Sequence, residues 1–122
     1  MMQEILCLQD ELDDPGAKGV MIHLPDSGKQ IEILLVRKAG EIHAYHNRCP
    51  HTGIQLEWVP DQFLDLDRHY IQCATHGALF RMQDGYCVRG PCAGDFLVQL
   101  DVQLMDGAVV MADWDQLAQL QT

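Results

Sequence analysis

The sequence predicts an all-β domain, a sandwich or barrel, on three observations. Short apolar runs recur at close spacing, separated by the turn residues Pro25-Asp26-Ser27-Gly28, Lys38-Ala39-Gly40, Gln83-Asp84-Gly85 and Asp106-Gly107. Ile31 to Arg37 is an almost continuous apolar run, rich in β-branched residues and of the length of a buried strand. Val98, Leu100, Val102 and Leu104 alternate with Gln99, Asp101 and Gln103, the two-residue period of a strand with one buried face.

In chain order, Glu4 to Leu12 alternates poorly and reads as an edge strand followed by a loop. Asp13-Asp14-Pro15-Gly16 is a strong turn signal. Gly19 to Leu24 is a short strand. Lys38-Ala39-Gly40 turns Ile31 to Arg37 into Glu41 to His46, a hairpin in whose second strand Ile42 and Ala44 share one face while His43 and Tyr45 share the other. His69 to Cys73 and Leu79 to Met82 are two further strands, with Gln83-Asp84-Gly85 as a hairpin turn after them. Asp106-Gly107 turns the alternating strand into Ala108 to Ala112. At the tail, Asp113 followed by Gln116 has the pattern of a helix cap. Trp114, Leu117 and Leu120 then form one apolar stripe, so a short C-terminal helix docked on the domain is expected.

At 122 residues, 48% of them hydrophobic, the chain is expected to be a single domain over 1–122 with a modest core. It contains no run of about 18 apolar residues, and Met1-Met2-Gln3-Glu4-Ile5-Leu6 lacks the basic start of a secretory signal, so a soluble, cytoplasmic protein is expected. Eighteen acidic against eight basic residues give a net charge of -10, which repels phosphate backbones and argues against nucleic acid as a partner. The same charge aids solubility, and it can steer a basic protein partner toward the chain.

Two stretches carry the chemistry: Cys49-Pro50-His51-Thr52-Gly53 and Cys73-Ala74-Thr75-His76-Gly77. Each offers one thiolate and one imidazole, in C-x-H and C-x-x-H spacing, with a Gly close behind to free the backbone of a tight loop. Two Cys and two His suit either a tetrahedral zinc or a 2Fe-2S cluster in which two His replace two Cys on one iron. Structural zinc sites usually pair like with like in each half, whereas both halves here are mixed, which favours the cluster. The other histidines, His23, His43, His46 and His69, are expected at the surface or in pockets rather than as ligands. Of five cysteines, Cys7, Cys87 and Cys92 remain outside the motifs. Cys87 and Cys92 are spaced as a disulfide or redox pair could be, but buried inert thiols in a reducing compartment are the expectation.

These motifs resemble those of the Rieske-type 2Fe-2S proteins, and the chain is most similar to the Rieske ferredoxins. The resemblance extends to the run Leu34 to Arg48 before the first loop, to Gly77-Ala78-Leu79-Phe80-Arg81 and Asp84-Gly85 after the second, and to Gly90-Pro91. It implies a β-sandwich or barrel base carrying a small cluster-binding subdomain over about 47–94, with one 2Fe-2S cluster held by Cys49, His51, Cys73 and His76. In the arrangement the resemblance implies, Cys49 and Cys73 bind one iron, and His51 and His76 bind the other. The spacer Thr52 to Gln72, twenty-one residues long, is longer than in the ferredoxins, and the excess falls around 57–68. There Trp58 and Phe63 are more readily packed beneath a surface loop than offered as a docking patch.

The implied function is a ferredoxin passing single electrons between a flavin-containing reductase and a terminal oxidoreductase such as an oxygenase, with no catalytic residues of its own. The alternatives are a small subunit of a multi-component oxidoreductase, of nitrite reductase or oxygenase type, and a zinc-stabilised interaction module. High-potential members of the family carry an extra Cys in each loop, together with a Ser and a Tyr that donate to the cluster. Ile54, Thr75, Ala78 and Phe80 align with those positions, so a potential near the low end, about -150 mV, is expected.

Overall fold

The computed structural model describes residues 5–24, 28, 30–48, 64, 69–73, 77–90, 93–112 and 116–117. Among these, every paired strand is antiparallel, and three sheets form. The first has the order β1 (Ile5–Leu8), β10 (Ala108–Met111), β9 (Val102–Met105). The second runs β2 (Gly16–His23), β3 (Gln30–Lys38), β4 (Glu41–His46), β8 (Gln99–Leu100). The third is β5 (Tyr70–Gln72), β6 (Leu79–Arg81), β7 (Cys87–Arg89).

The middle sheet is covered on both faces, which explains the unbroken apolar run of β3. Its Ile31, Ile33 and Leu35, with Ala44 of β4, pack against Leu6, Cys7, Val109 and Met111 of the first sheet. From the opposite face Leu34, Val36 and Tyr45 pack against Ile71, Phe80 and Cys87 of the third sheet. Alternation of side chains along β3 and β4 thus feeds two cores rather than one core and solvent. Ile42 and Ala44 do share the first core, and Tyr45 belongs to the second.

Both two-residue hairpin turns place their residues in the left-handed region: Ala39 and Gly40 at φ 53° and 79°, Asp106 and Gly107 at φ 53° and 79°. Such turns match the twist of the strands they join. Alanine is poorly suited to that conformation, and Asp14 stabilises the first turn from outside. Its carboxylate accepts the Ala39 and Gly40 N–H groups, each at 2.8 Å.

Three expectations need correction. The second strand begins at Gly16, not Gly19, and pairs with β3 along its whole length. The stretch from Val98 to Leu104 is not one half-buried strand: Val98 and Leu104 are exposed, and Asp101 separates β8, which pairs with β4, from β9, which pairs with β10. The alternation is that of extended backbone throughout, but the chain changes sheets midway, and only Leu100 and Val102, on either side of the change, turn inward to the first core. The third correction is an added strand, β7, which extends the predicted β5–β6 hairpin into a three-stranded sheet.

At the change of sheet, Gln116 supplies what neither ladder can. Its Oε1 accepts the Asp101 N–H at 2.7 Å, and its Nε2 donates to Asp101 Oδ2 at 3.2 Å. Gln116 and Leu117 are helical, and Leu117 is fully buried in the core between the first and second sheets. Asp113, Trp114 and Leu120 of the expected tail helix, and Trp58 and Phe63 of the spacer, lie outside the described residues.

Candidate metal centre

Cys73 follows β5 directly and is fully buried in the core that Tyr45, Ala78, Phe80 and Cys87 also line. Its loop closes on itself: the Cys73 N–H donates to the Ala78 carbonyl at 2.8 Å, and the Gly77 N–H donates to the Cys73 carbonyl at 2.9 Å. Gly77 takes φ 69°, a conformation that glycine adopts without strain. The register continues into β6, where Gln72 opposes Leu79 and Ile71 opposes Phe80, so C-x-x-H is the connection of a hairpin.

A second segment lies on this loop. Gly90, at φ 106°, approaches so closely that a Cβ there would stand 2.8 Å from Ala78 Cα. The Gly90-Pro91 segment therefore begins in direct contact with the residue two positions beyond His76. Only glycine permits both the torsion and the approach.

The first loop is reached from the end of β4. His46 donates its N–H to the Val98 carbonyl at 2.8 Å, Asn47 to Glu32 at 2.9 Å, and Arg48 to His46 at 2.8 Å, which fixes the backbone up to the residue before Cys49. His46 and Asn47 are buried. Burial, followed by the nearby Arg48 guanidinium, lowers the His46 pKa from its ordinary value of 6.5.

Cys49, His51 and His76 lie outside the described residues, as does Cys92. Among the described residues, no three His, Cys, Asp or Glu side chains come together to hold a metal. What the structure shows of the site fits a 2Fe-2S cluster. Cys73 is a thiol withdrawn from water in an apolar setting, on a hairpin connection, and both loops spring from strands packed on the same core.

The remaining candidates resolve as follows. His23 is exposed and lies 3.0 Å from Gln30 Nε2, His43 lies 3.4 Å from Glu41, and His69 is exposed. Cys7 is buried, and that burial pushes its thiol up to about 11. Cys87 is buried beside Phe80, with Sγ 3.2 Å from the Arg89 carbonyl oxygen.

Sequence reasoning missed the residue that joins the two halves. Tyr45 is fully buried and donates from its hydroxyl to the Met82 carbonyl at 2.6 Å. Burial, with the Asp84 carboxylate nearby, raises its pKa and keeps it a donor. A phenol in the second strand of a hairpin whose first strand is an almost continuous apolar run was the available signal, because a buried Tyr hydroxyl needs a partner.

Solved structures with the same fold include the ferredoxin of carbazole 1,9a-dioxygenase from Nocardioides aromaticivorans IC177 (19% identity, TM-score 0.67, covering 92% of this chain and 98% of that one). The Sphingomonas yanoikuyae B1 ferredoxin is similar at 21% identity and TM-score 0.67, over 92% of this chain and 99% of that one. The terminal oxygenase of carbazole 1,9a-dioxygenase from Novosphingobium sp. KA1 matches at 25% identity and TM-score 0.66, over 89% of this chain and 29% of its own. No curated protein matches the chain by sequence. The family model described as the Rieske [2Fe-2S] domain matches residues 4–111, a span that includes both ligand motifs. On that match the chain belongs to the Rieske [2Fe-2S] domain family, whose cofactor is a 2Fe-2S cluster.

Proposed function

We propose that this chain is a one-electron carrier, soluble and cytoplasmic, that accepts electrons from a flavin-containing reductase and delivers them to a terminal oxidoreductase such as a ring-hydroxylating oxygenase. The observation that carries the reading is the family match, because its span takes in every ligand of the C-x-H and C-x-x-H motifs. Two ferredoxins matched over nearly their full length support it. So does a complex of reduced oxygenase and oxidised ferredoxin in carbazole 1,9a-dioxygenase, which is similar to this chain at 19% identity and TM-score 0.67. No described helix is long and apolar enough to cross a membrane.

Cys49 and Cys73 would hold one iron as thiolates, and His51 and His76 would hold the other as neutral imidazoles. The bound group supplies a centre that takes up and returns a single electron. The chain's own contribution is to fix the four ligands, to keep water from the Cys73 side and to set the polarity around the sulfurs. Ala78 and Phe80, both buried, offer no hydroxyl donor to that environment, which supports a potential near the low end, about -150 mV, as the reading to be tested. The whole chain, 1–122, acts as one domain in this reading, with 47–94 as the cluster-binding part.

The test is the purified protein and its Cys49→Ser and His76→Ala variants. Expected are a reddish-brown protein with iron and acid-labile sulfide, a 2Fe-2S electron paramagnetic resonance signal on dithionite reduction, and loss or alteration of that signal in both variants. A colourless protein holding one zinc overturns the assignment.

A further inference from the structure

We propose that Tyr45 is a positioning residue for the cluster: it fastens the sheet bearing Cys73 to the strand leading to Cys49, by a ring seated in the β6–β7 turn and a hydroxyl bonded to Met82. The inference rests on the electron-carrier reading for its redox consequence, but not for the mechanical link itself.

Tyr45 lies on β4, four residues ahead of Cys49, paired with Leu34 on one side and Gln99 on the other. Its strand is therefore fixed in the middle sheet. Its hydroxyl reaches across to the Met82 carbonyl at 2.6 Å, in a buried setting, and Met82 follows β6 directly. The ring sits against Gly85 in the same turn: a Cβ at Gly85, whose φ is 74°, would stand 2.9 Å from Tyr45 Cε1 and 3.1 Å from Leu97 Cβ. Gly85 in turn accepts the Leu97 N–H at 2.9 Å and donates to Arg81 at 2.9 Å.

The far end of β6 pairs with the strand that delivers Cys73. A force on the turn is passed along two short strands to the ligand loop, because those strands are packed and paired throughout. With the cluster joining the sheets at one end, Tyr45 joins them at the other. Leu34 and Val36 pack the same two sheets together, and the Tyr45 hydroxyl adds to that packing a directional bond that fixes how one sheet sits on the other.

The test uses Tyr45→Phe, which keeps the ring and removes the hydroxyl. Leu104→Ala, which truncates an exposed apolar side chain on β9 in a different sheet, is the control. In the metal-free protein, Tyr45→Phe is expected to lower the exchange protection of the Gly85 and Leu97 amides by about fivefold, the usual worth of one hydrogen bond. Amides of β2 and β10 are expected to be unchanged. In the iron-loaded protein, the same variant is expected to broaden the paramagnetic resonance of the reduced state and to lose iron to a chelator several-fold faster than wild type or the control. Equal protection loss across all amides, or unaltered protection with unaltered iron release and line width, overturns the proposal. A wild-type protein that binds no iron sinks the carrier reading alone, since the amide comparison still decides whether Tyr45 holds the turn.

Discussion

His46 is 6% exposed and three residues ahead of Cys49, and its depressed pKa has a definite consequence for stability. Below pH 6.5 the unfolded chain takes up a proton on this imidazole that the folded chain refuses, so stability falls as pH drops and levels off once the folded-state value is passed. The slope is at most about 1.4 kcal/mol per pH unit. Urea unfolding of the metal-free protein between pH 7 and pH 5 is expected to show this fall, and His46→Gln to flatten it. Asp84 acts at lower pH. Its hydrogen bond with Arg81 lowers its pKa, so that contribution is present above the usual carboxylate range and is lost as pH falls through the folded value, and at this exposed position it is small. Ala78 and Phe80 determine a different property. Ala78→Ser and Phe80→Tyr each place a hydroxyl where the resemblance puts a donor to the cluster. Each is expected to raise the potential by roughly 40 mV, taking about 1 kcal/mol per bond and 59 mV per tenfold for one electron. Redox titration of the two variants checks it.

At the level of elements, the hairpin joining β3 and β4 depends on a residue distant in sequence. Without the Asp14 carboxylate, two turn N–H groups and the left-handed Ala39 have no such support, so Asp14→Ala is expected to cost about 1 kcal/mol, seen as a lower urea midpoint at unchanged slope. Ala39→Gly in the same background is expected to recover part of the loss by relieving the torsion. The turn itself was readable from Lys38-Ala39-Gly40, and β3 from its β-branched run, because local chemistry alone specifies both. The Asp14 contact was not readable, since it spans twenty-five positions. Nor could periodicity show the change of sheet at Asp101, because extended backbone has the same two-residue repeat whichever sheet it joins. The candidate site divides the same way: the spacing of Cys49, His51, Cys73 and His76 is local and legible, whereas the Gly90 contact on Ala78 and the Tyr45 bond to Met82 exist only once the sheets have packed.

At the level of the whole molecule, a net charge of -10 acts at distances where no single residue does. Association with a basic reductase or oxygenase surface is expected to slow as salt is raised from about 10 mM to about 150 mM, over which the screening length shrinks from roughly 30 Å to roughly 8 Å. Stopped-flow measurement of electron transfer at several ionic strengths checks this, and a salt-independent rate contradicts electrostatic steering. The two cores, in contrast, answer to packing. Leu34, Val36 and Tyr45 serve one, and Ile33, Leu35 and Ala44 serve the other, all from the same two strands. A party wall of this kind leaves neither room able to collapse without the other. A lesion deep in the base, far from any ligand, should therefore announce itself at the redox end, and bleaching of the protein's colour on heating should coincide with melting of its strands.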